Sequence, residues 1–390
     1  MHLEASVAPA GSVPGPTPPK APRADAERFR ALGDDLDALK ARITAEVGAK
    51  DVRYVRAMRA LSRVFEATGR VLIHVSPEPV TFLAGVTALW LHKQLEATEI
   101  GHTALHGAYD GLPGAKGFES ETFRWDTPID EASWRNGHNL RHHGNTNVAG
   151  RDPDIHFGPV RLTDKTPYHR INRIGLPFSL FVLFPNFAFL MNLHFTGLSD
   201  AYHDNGLPER MDFLKDRSPA SVRGAWRAAL RKYVPYYFWN YVFFPALAGP
   251  MFWKVLLGNW MAETMRDVYS AATIYCGHVG PETKSYDRGH RPKSRGEWYA
   301  MQIEASNDYE VSWVVSVLCG GLDRQIEHHL FPTLPPQRLR QIAPEVRALC
   351  ERHGIEYRTD TWGRTLGKAL GHIAALSRQG GVRQVLREMA

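Results

Sequence analysis

The chain has 390 residues, of which 44% are hydrophobic and 23% charged, and it carries a formal net charge of +6. That length suits two soluble domains or one membrane enzyme with a cytosolic cap. The modest charge, with no arginine–lysine block, argues against nucleic acid as a partner. Three scattered cysteines, Cys276, Cys319 and Cys350, form no metal-ligand spacing and read as reduced thiols of a cytosol-facing protein.

Residues 1–25 are Pro/Ala-rich with little to bury, and the spacing there predicts a disordered leader without a signal peptide. From Ala26 the pattern turns helical. Phe29, Leu32, Leu36, Leu39, Ile43 and Val47 step by three and four, the stripe of a helix packed on a cap. Arg53, Arg56, Arg59, Arg63 and Arg70 follow against one nearby acid, Glu66, a bias that marks the cytoplasmic face of a membrane. Residues 26–70 are therefore expected to form cytosolic amphipathic helices, and residues 71–376 a membrane domain with its cap.

Within that domain Val71–Ala97 suits a hairpin with its tip at Pro77-Glu78-Pro79. Ile174–Ser199 carries no charge but is interrupted by Pro177 and Pro185, which suggests a re-entrant or interfacial helix, with a true span as the competing reading. The segment Asp200–Lys232 holds seven Lys and Arg and reads as a cytoplasmic loop. Tyr233–Trp253 then leaves the cytoplasm and turns near Gly249-Pro250, and Val255–Gly277 returns with Glu263, Arg266 and Asp267 facing the protein interior. Leu339, Ile342, Val346 and Leu349 mark a second cap helix, and residues 377–390 a basic tail.

Three histidine boxes carry the chemistry. GHTALH places His102 and His106 four apart, HNLRHH places His138 before His142 and His143, and QIEHH places Gln325 before His328 and His329. On a helix, residues i and i+4 share a face, so each such pair can converge on one point. Seven imidazoles are too many for one ion and fit two. Imidazole suits iron, copper, nickel and zinc alike. The scarcity of acids in register argues against a two-metal hydrolase and for redox iron with dioxygen.

These stretches resemble the membrane fatty acid desaturases, in particular their bacterial acyl-CoA/acyl-lipid branch. The resemblance rests on EIGHTALHGAYDGLPG (Glu99 to Gly114), WRNGHNLRHHGNTNVAGRDPDI (Trp134 to Ile155), YCGHVGPE (Tyr275 to Glu282) and GGLDRQIEHHLFPTLPPQRL (Gly320 to Leu339). It runs from about residue 48 to about residue 376. It implies an all-α fold: an integral membrane helical bundle whose cytosolic helical cap holds a histidine-rich dimetal site. It also implies two irons with O2 as co-substrate, and insertion of a cis double bond into an acyl chain carried by CoA or lipid. His278 joins the seven box histidines as a ligand because YCGH matches a family position. Gln325, typical of desaturases acting near the carboxyl end of the chain, is expected to hold a metal-bound water through its amide. Glu99, Asp152, Asp154 and Glu327 are the acids at hand to fix the second nitrogens of ligating imidazoles. His74, His92, His156, His169, His194, His203, His290, His353 and His372 have no box partner and are expected to be structural.

The chain shows no haem-binding His-Pro-Gly-Gly segment, so an external donor, a ferredoxin or cytochrome with its reductase, is the expected electron source. The resemblance places the protein in a bilayer, the bacterial inner membrane, with its site facing the cytoplasm. The competing readings are a diiron lipid hydroxylase or a carotenoid- or sphingolipid-modifying relative. A non-catalytic metal-binding membrane protein is the rival from another class.

Overall fold

The computed structural model describes residues 22–202, 211 and 213–378. The expected leader lies almost wholly outside them, as do His203 and nearly all of the basic tail. Helices dominate. α1 (Pro22–Glu46) buries Leu32, Leu36, Leu39 and Ile43, the stripe its sequence predicts. α2 (Ala49–Val75) runs unbroken through residues 70 and 71, then turns at Ser76–Glu78 into α3 (Pro79–Leu95). The turn holds because Glu78 accepts from the Val80 and Thr81 amides at 2.6 and 2.7 Å, and Pro79 occupies the first helical position. α2 and α3 approach closely through glycines. A Cβ on Gly69 would sit 2.6 Å from the Leu89 amide, and one on Gly85 2.8 Å from that of Ile73. The hairpin tip is where the sequence places it, and its first arm is the end of a longer helix.

Arg170–Phe195 is, among the described residues, one helical segment long and apolar enough to cross a membrane. Pro177 and Pro185 do not break it; the winding changes instead, passing through a π turn at Ser179–Leu183 and a 3₁₀ turn at Phe184–Asn186 before α4 (Phe187–Phe195). The basic segment 200–232 is not all loop. α5 (Pro219–Phe238) begins inside it, started by the Ser218 cap on Ser221 and by Pro219, and carries Arg223, Arg227, Arg231 and Lys232. It continues through a π turn, Trp239–Phe243, to Leu247, and the chain reverses at Gly249–Met251. α6 (Phe252–His278) returns beside α3, and its Glu263, Arg266 and Asp267 are buried, as expected. Lys93 meets Glu263 at 2.7 Å, and Arg266 meets Asp267 at 2.8 Å, so these interior charges are paired.

The cap is built from α1, α7 (Arg295–Glu304), α9 (Gln325–Leu330) and α10 (Pro336–Arg352), with α8 (Trp313–Cys319) preceding the third box. Their apolar faces close one core in which Leu32, Ile43, Ile303, Ile326, Phe331, Leu339, Ile342 and Val346 are buried. α11 (Trp362–Arg378) covers α6 from outside. The all-α expectation misses two short ribbons. β1 (His156–Phe157) pairs antiparallel with β2 (Val160–Arg161), and β3 (Asp308–Glu310) pairs parallel with β4 (Thr359–Thr361). The second ribbon pins the chain before the third box to the chain beyond α10, a long-range tie that helical periodicity does not reveal.

Candidate metal centre

The two upstream boxes are wound as π-helix, Glu96–His102 continuing α3 and Arg135–His142 after a short turn Glu131–Trp134. The His143 amide accordingly reaches back five residues to the His138 carbonyl, at 3.1 Å. The third box lies on the short helix α9, and His278 is the last residue of α6. Four separate segments thus deliver imidazoles to one buried place.

All eight expected histidines are buried there, and they sort into two groups. His102, His106, His138 and His328 form one; His142, His278 and His329 form the other; His143 shares a third grouping with His328 and His329, between the two. In each group the ligand atoms lie within 4.8 Å of one another. Both i, i+4 pairs converge as the spacing predicts: His102 and His106 share one group, and His138 and His142 share a further one with Asp154. His138 and His142 stack with rings 4.9 Å apart and each also joins one of the two larger groups, as His328 and His329 do besides meeting at His143.

The residues around these rings decide which nitrogen is bare. His142 Nδ1 faces Asp152 at 2.9 Å, His138 Nδ1 faces Asp154 at 3.0 Å, and His329 Nδ1 faces the Gln302 amide oxygen at 3.0 Å. At His138 and His329 the acceptor fixes the proton on Nδ1 and turns an unprotonated Nε2 inward, and at His142 it holds Nδ1–H so that Nε2 is the nitrogen turned inward. Inward nitrogens then meet one another: His329 to His278 at 3.0 Å, His102 to His106 at 3.3 Å and to His138 at 3.4 Å. His142 Nε2, His328 Nε2 and both nitrogens of His143 are buried without a hydrogen-bond partner. Facing lone pairs and orphaned imidazole nitrogens are costly in a protein interior and natural around cations. The donor set fits a metal centre.

Burial, reinforced by neighbouring rings, pushes His102 down to about 3 and holds His106, His138, His143, His278, His328 and His329 well below the ordinary imidazole value. They are neutral, the ligating form. His142 differs: burial pulls it down, but Asp152 and Asp154 overcome that and raise it to about 9. Metal binding at His142 therefore releases a proton over much of the neutral range. Asp152 also accepts from the Asn147 and Asp154 amides at 2.7 and 2.8 Å, which makes it the keystone of the second box. Asp152→Asn is expected to lower metal retention roughly 10–100-fold while leaving the helical circular dichroism unchanged; elemental analysis after dialysis against a chelator measures it.

Two of the four acids expected near the rings are elsewhere. Glu99 binds the Tyr54 hydroxyl and Arg340, at 3.1 Å, and Glu327 accepts from Tyr357 at 3.0 Å. Both carboxylates face the cap, because α10 and Tyr357 offer them buried donors that the imidazoles do not. Sequence reading missed Gln302, and Thr146, which lies 3.1 Å from His329 Nδ1. Neither sits in a box, and no spacing pointed to them. The Gln325 amide nitrogen is 2.7 Å from His278 Nε2, and its amide oxygen is buried without a hydrogen-bond partner.

Below the rings lies a narrow cavity of about 80 Å³. His102, His138, His278 and Gln325 line one end, and Trp134, Phe187, Met191, Ile274 and Tyr275 its walls. Trp134 stacks on His138 at 4.5 Å. On α6 the lining residues Arg266, Ser270, Ile274 and His278 recur every four positions, so the cavity follows one helix face for about 18 Å.

A helical scaffold that holds eight buried imidazoles at the head of a long, mostly apolar cavity fits a metal centre facing an extended apolar substrate. Residues 78–361 match the fatty acid desaturase family. Among similar proteins, the NADPH-dependent stearoyl-CoA 9-desaturase of Mycobacterium tuberculosis is 30% identical over 351 residues, 89% of this chain and 79% of its own. The sn-1 linoleoyl-lipid 6-desaturase of Synechocystis sp. is 25% identical over 337 residues, covering 84% and 89% of the two chains. Fatty acid desaturase 3 of Bos taurus is 27% identical over 242 residues, 58% of this chain and 46% of its own. The chain belongs to the fatty acid desaturase family and is an oxidoreductase.

Proposed function

We propose that this fatty acyl desaturase inserts a cis double bond into an acyl chain lying in the cavity, using two irons held by His102, His106, His138, His142, His143, His278, His328 and His329. The observation that carries this reading is the division of the histidines into two groups at the end of an apolar cavity. When bound, the irons supply the one-electron chemistry that couples removal of two hydrogens to reduction of dioxygen to water. The balance takes one O2, two electrons and two protons, and yields one double bond and two waters. The chain's own residues do the rest. Asp152, Asp154 and Gln302 orient the imidazoles, and Gln325 fixes His278 against His329. Trp134, Phe187 and Met191 keep water away and position the methylenes.

The named relatives act on stearoyl-CoA and on an acyl lipid, which supports an acyl substrate on either carrier. The apolar segment Arg170–Phe195, together with the exposed Phe181, Phe238, Trp253 and Trp260, supports a membrane-embedded base, and we place it in a bacterial inner membrane with the histidine cap on the cytoplasmic side, where the Arg53–Arg70 bias favours it. Expression in a host lacking the product, followed by gas chromatography of its acyl chains, tests the reading. A new monounsaturated chain is expected. A new hydroxyl group would instead make the chain a hydroxylase. The purified protein is expected to bind about two irons per chain; stoichiometric zinc with no capacity for iron would remove the redox reading. NADPH alone is not expected to drive turnover without a reductase or small redox carrier, which a reconstitution assay checks directly.

A further inference from the structure

A second cavity, of about 360 Å³, lies between α2 and α5, with Glu66, Arg70, Asp126, Lys232, Tyr236 and Trp239 among its lining. It shares Trp125 and Thr127 with the histidine cavity, so those two side chains are the wall between them. Two hydrogen-bonding groups there are unused. Thr127 is 1% exposed and its hydroxyl has no partner. Arg70 spends Nε on Glu66 at 3.1 Å and Nη2 on Asn240 at 3.4 Å, and its guanidinium lies 3.6 Å from the Phe244 ring centroid, yet Nη1 is buried and unpartnered. Unpaired buried donors ask for an oxygen acceptor.

The two cavities also complement each other in polarity. The histidine cavity is apolar along its walls, but Thr127, Ser270, Arg266 and Asp267 line it away from the rings. A methyl terminus gains nothing by stopping against such groups, whereas an ester can stop there. The flanks of the second cavity are apolar and exposed: Val71 and Val75 on α2, Phe238, Trp239 and Val242 on the other side. A molecule already dissolved in hydrocarbon meets that mouth without crossing water.

We propose that the second cavity receives the ester end of a membrane-resident acyl lipid. The ester carbonyl accepts from Arg70 Nη1 and the Thr127 hydroxyl, and the acyl chain passes beside Trp125 and Thr127 into the histidine cavity. The proposal rests on the acyl desaturase reading and names the carrier: a lipid ester. The other source of an acyl carbonyl, a CoA thioester, would arrive from the aqueous side and leave its carbonyl in the histidine cavity, whose lining away from Trp125 and Thr127 includes Phe157 and Val279.

The test uses the full-length, metal-loaded protein in phosphatidylcholine–phosphatidylglycerol vesicles. A trace diacyl phospholipid carries a photoreactive diazirine beside its ester carbonyl, and an acyl-CoA carries the same group at the same carbon. After illumination, peptide mapping is expected to find the lipid label in residues 66–73 and 232–244, displaced by unlabelled lipid, with little label from the CoA probe. Thr127→Val and Arg70→Gln are each expected to lower that labelling about fivefold or more. Label concentrated near Phe157 and Val279, equal labelling by the CoA probe, or labelling unchanged in both variants would overturn the proposal. If Arg70→Gln does not fold, Thr127→Val, a change of matched shape, decides alone. Labelling needs no turnover, so specific labelling here by a protein that makes no double bond would sink the desaturase reading and leave this site standing.

Discussion

His278→Ala is expected to abolish desaturation and to lower the iron content of the purified protein, much as His142→Ala is. His278 lies outside the three boxes and ends a 27-residue helix, a position where an ordinary histidine caps carbonyls. In that role its loss would cost under about 1 kcal/mol and leave turnover nearly intact. Its surroundings are different. The ring is 6% exposed, its Nε2 lies 3.0 Å from that of His329, and its centroid lies 4.7 Å from that of His142. Two imidazole nitrogens that close repel unless one carries a proton or a cation lies between them. The residue before it has no room for a side chain: a Cβ on Gly277 would meet Gln325 Cγ at 2.7 Å, displacing the amide that steadies His278. Iron analysis and product chromatography on the variant read both effects. Near-normal values of each would take His278 out of the site.

Arg340→Met is expected to cost several kcal/mol of stability although it lies outside the ring cluster. Glu99 is 1% exposed and ionisable, three residues before His102, and Arg340 on α10 meets it at 3.1 Å. Arg340 also donates to the Ser316 carbonyl at 2.9 Å and to its hydroxyl at 2.7 Å, which locks α8, α10 and the first box together. Removing the guanidinium strands a buried carboxylate, at about 3–5 kcal/mol. The midpoint of denaturant unfolding in detergent measures this. Glu99→Gln in the same chain is expected to restore part of it, because a neutral amide tolerates burial. A midpoint unchanged from wild type would show that Tyr54 alone satisfies Glu99.

The boxes were legible in the sequence because imidazole ligands must be supplied in number and close together along the chain. The cap was legible too: Leu32, Leu36, Leu39 and Ile43 could be periodic for no reason except burial, and they are buried. That His138 and His142, besides meeting at Asp154, would each reach a different larger group was not legible. It depends on winding, and nothing in HNLRHH distinguishes five-residue from four-residue hydrogen bonding. Gln302 and Thr146 were invisible for another reason. They reach His329 across 27 and 183 residues of chain, and a neutral amide or hydroxyl leaves no pattern. The acids misled in part, since Glu99 and Glu327 lie as near the boxes in sequence as Asp152 does, and burial against Tyr54, Arg340 and Tyr357 decided their direction. Helix α5 was hidden inside a basic segment because charge bias reports the side of a membrane and is silent on winding.

The π-wound boxes also bear on how this sequence can change over generations. A π turn is in effect an α-helix holding one extra residue. Losing a single residue from Glu96–His102 would let the segment relax to ordinary helix and swing everything beyond it by about 100°. His102 and His106 would then swing together away from the other imidazoles, and the register with Arg135–His142 would be lost. The loop between the boxes, with exposed Gly111, Lys116 and Glu121, has no such phase to keep. In a library of single-codon deletions, survivors should therefore cluster between residues 111 and 121 and be missing from both wound segments, so the arithmetic of helix turns, more than the identity of any side chain, limits where this gene can shorten.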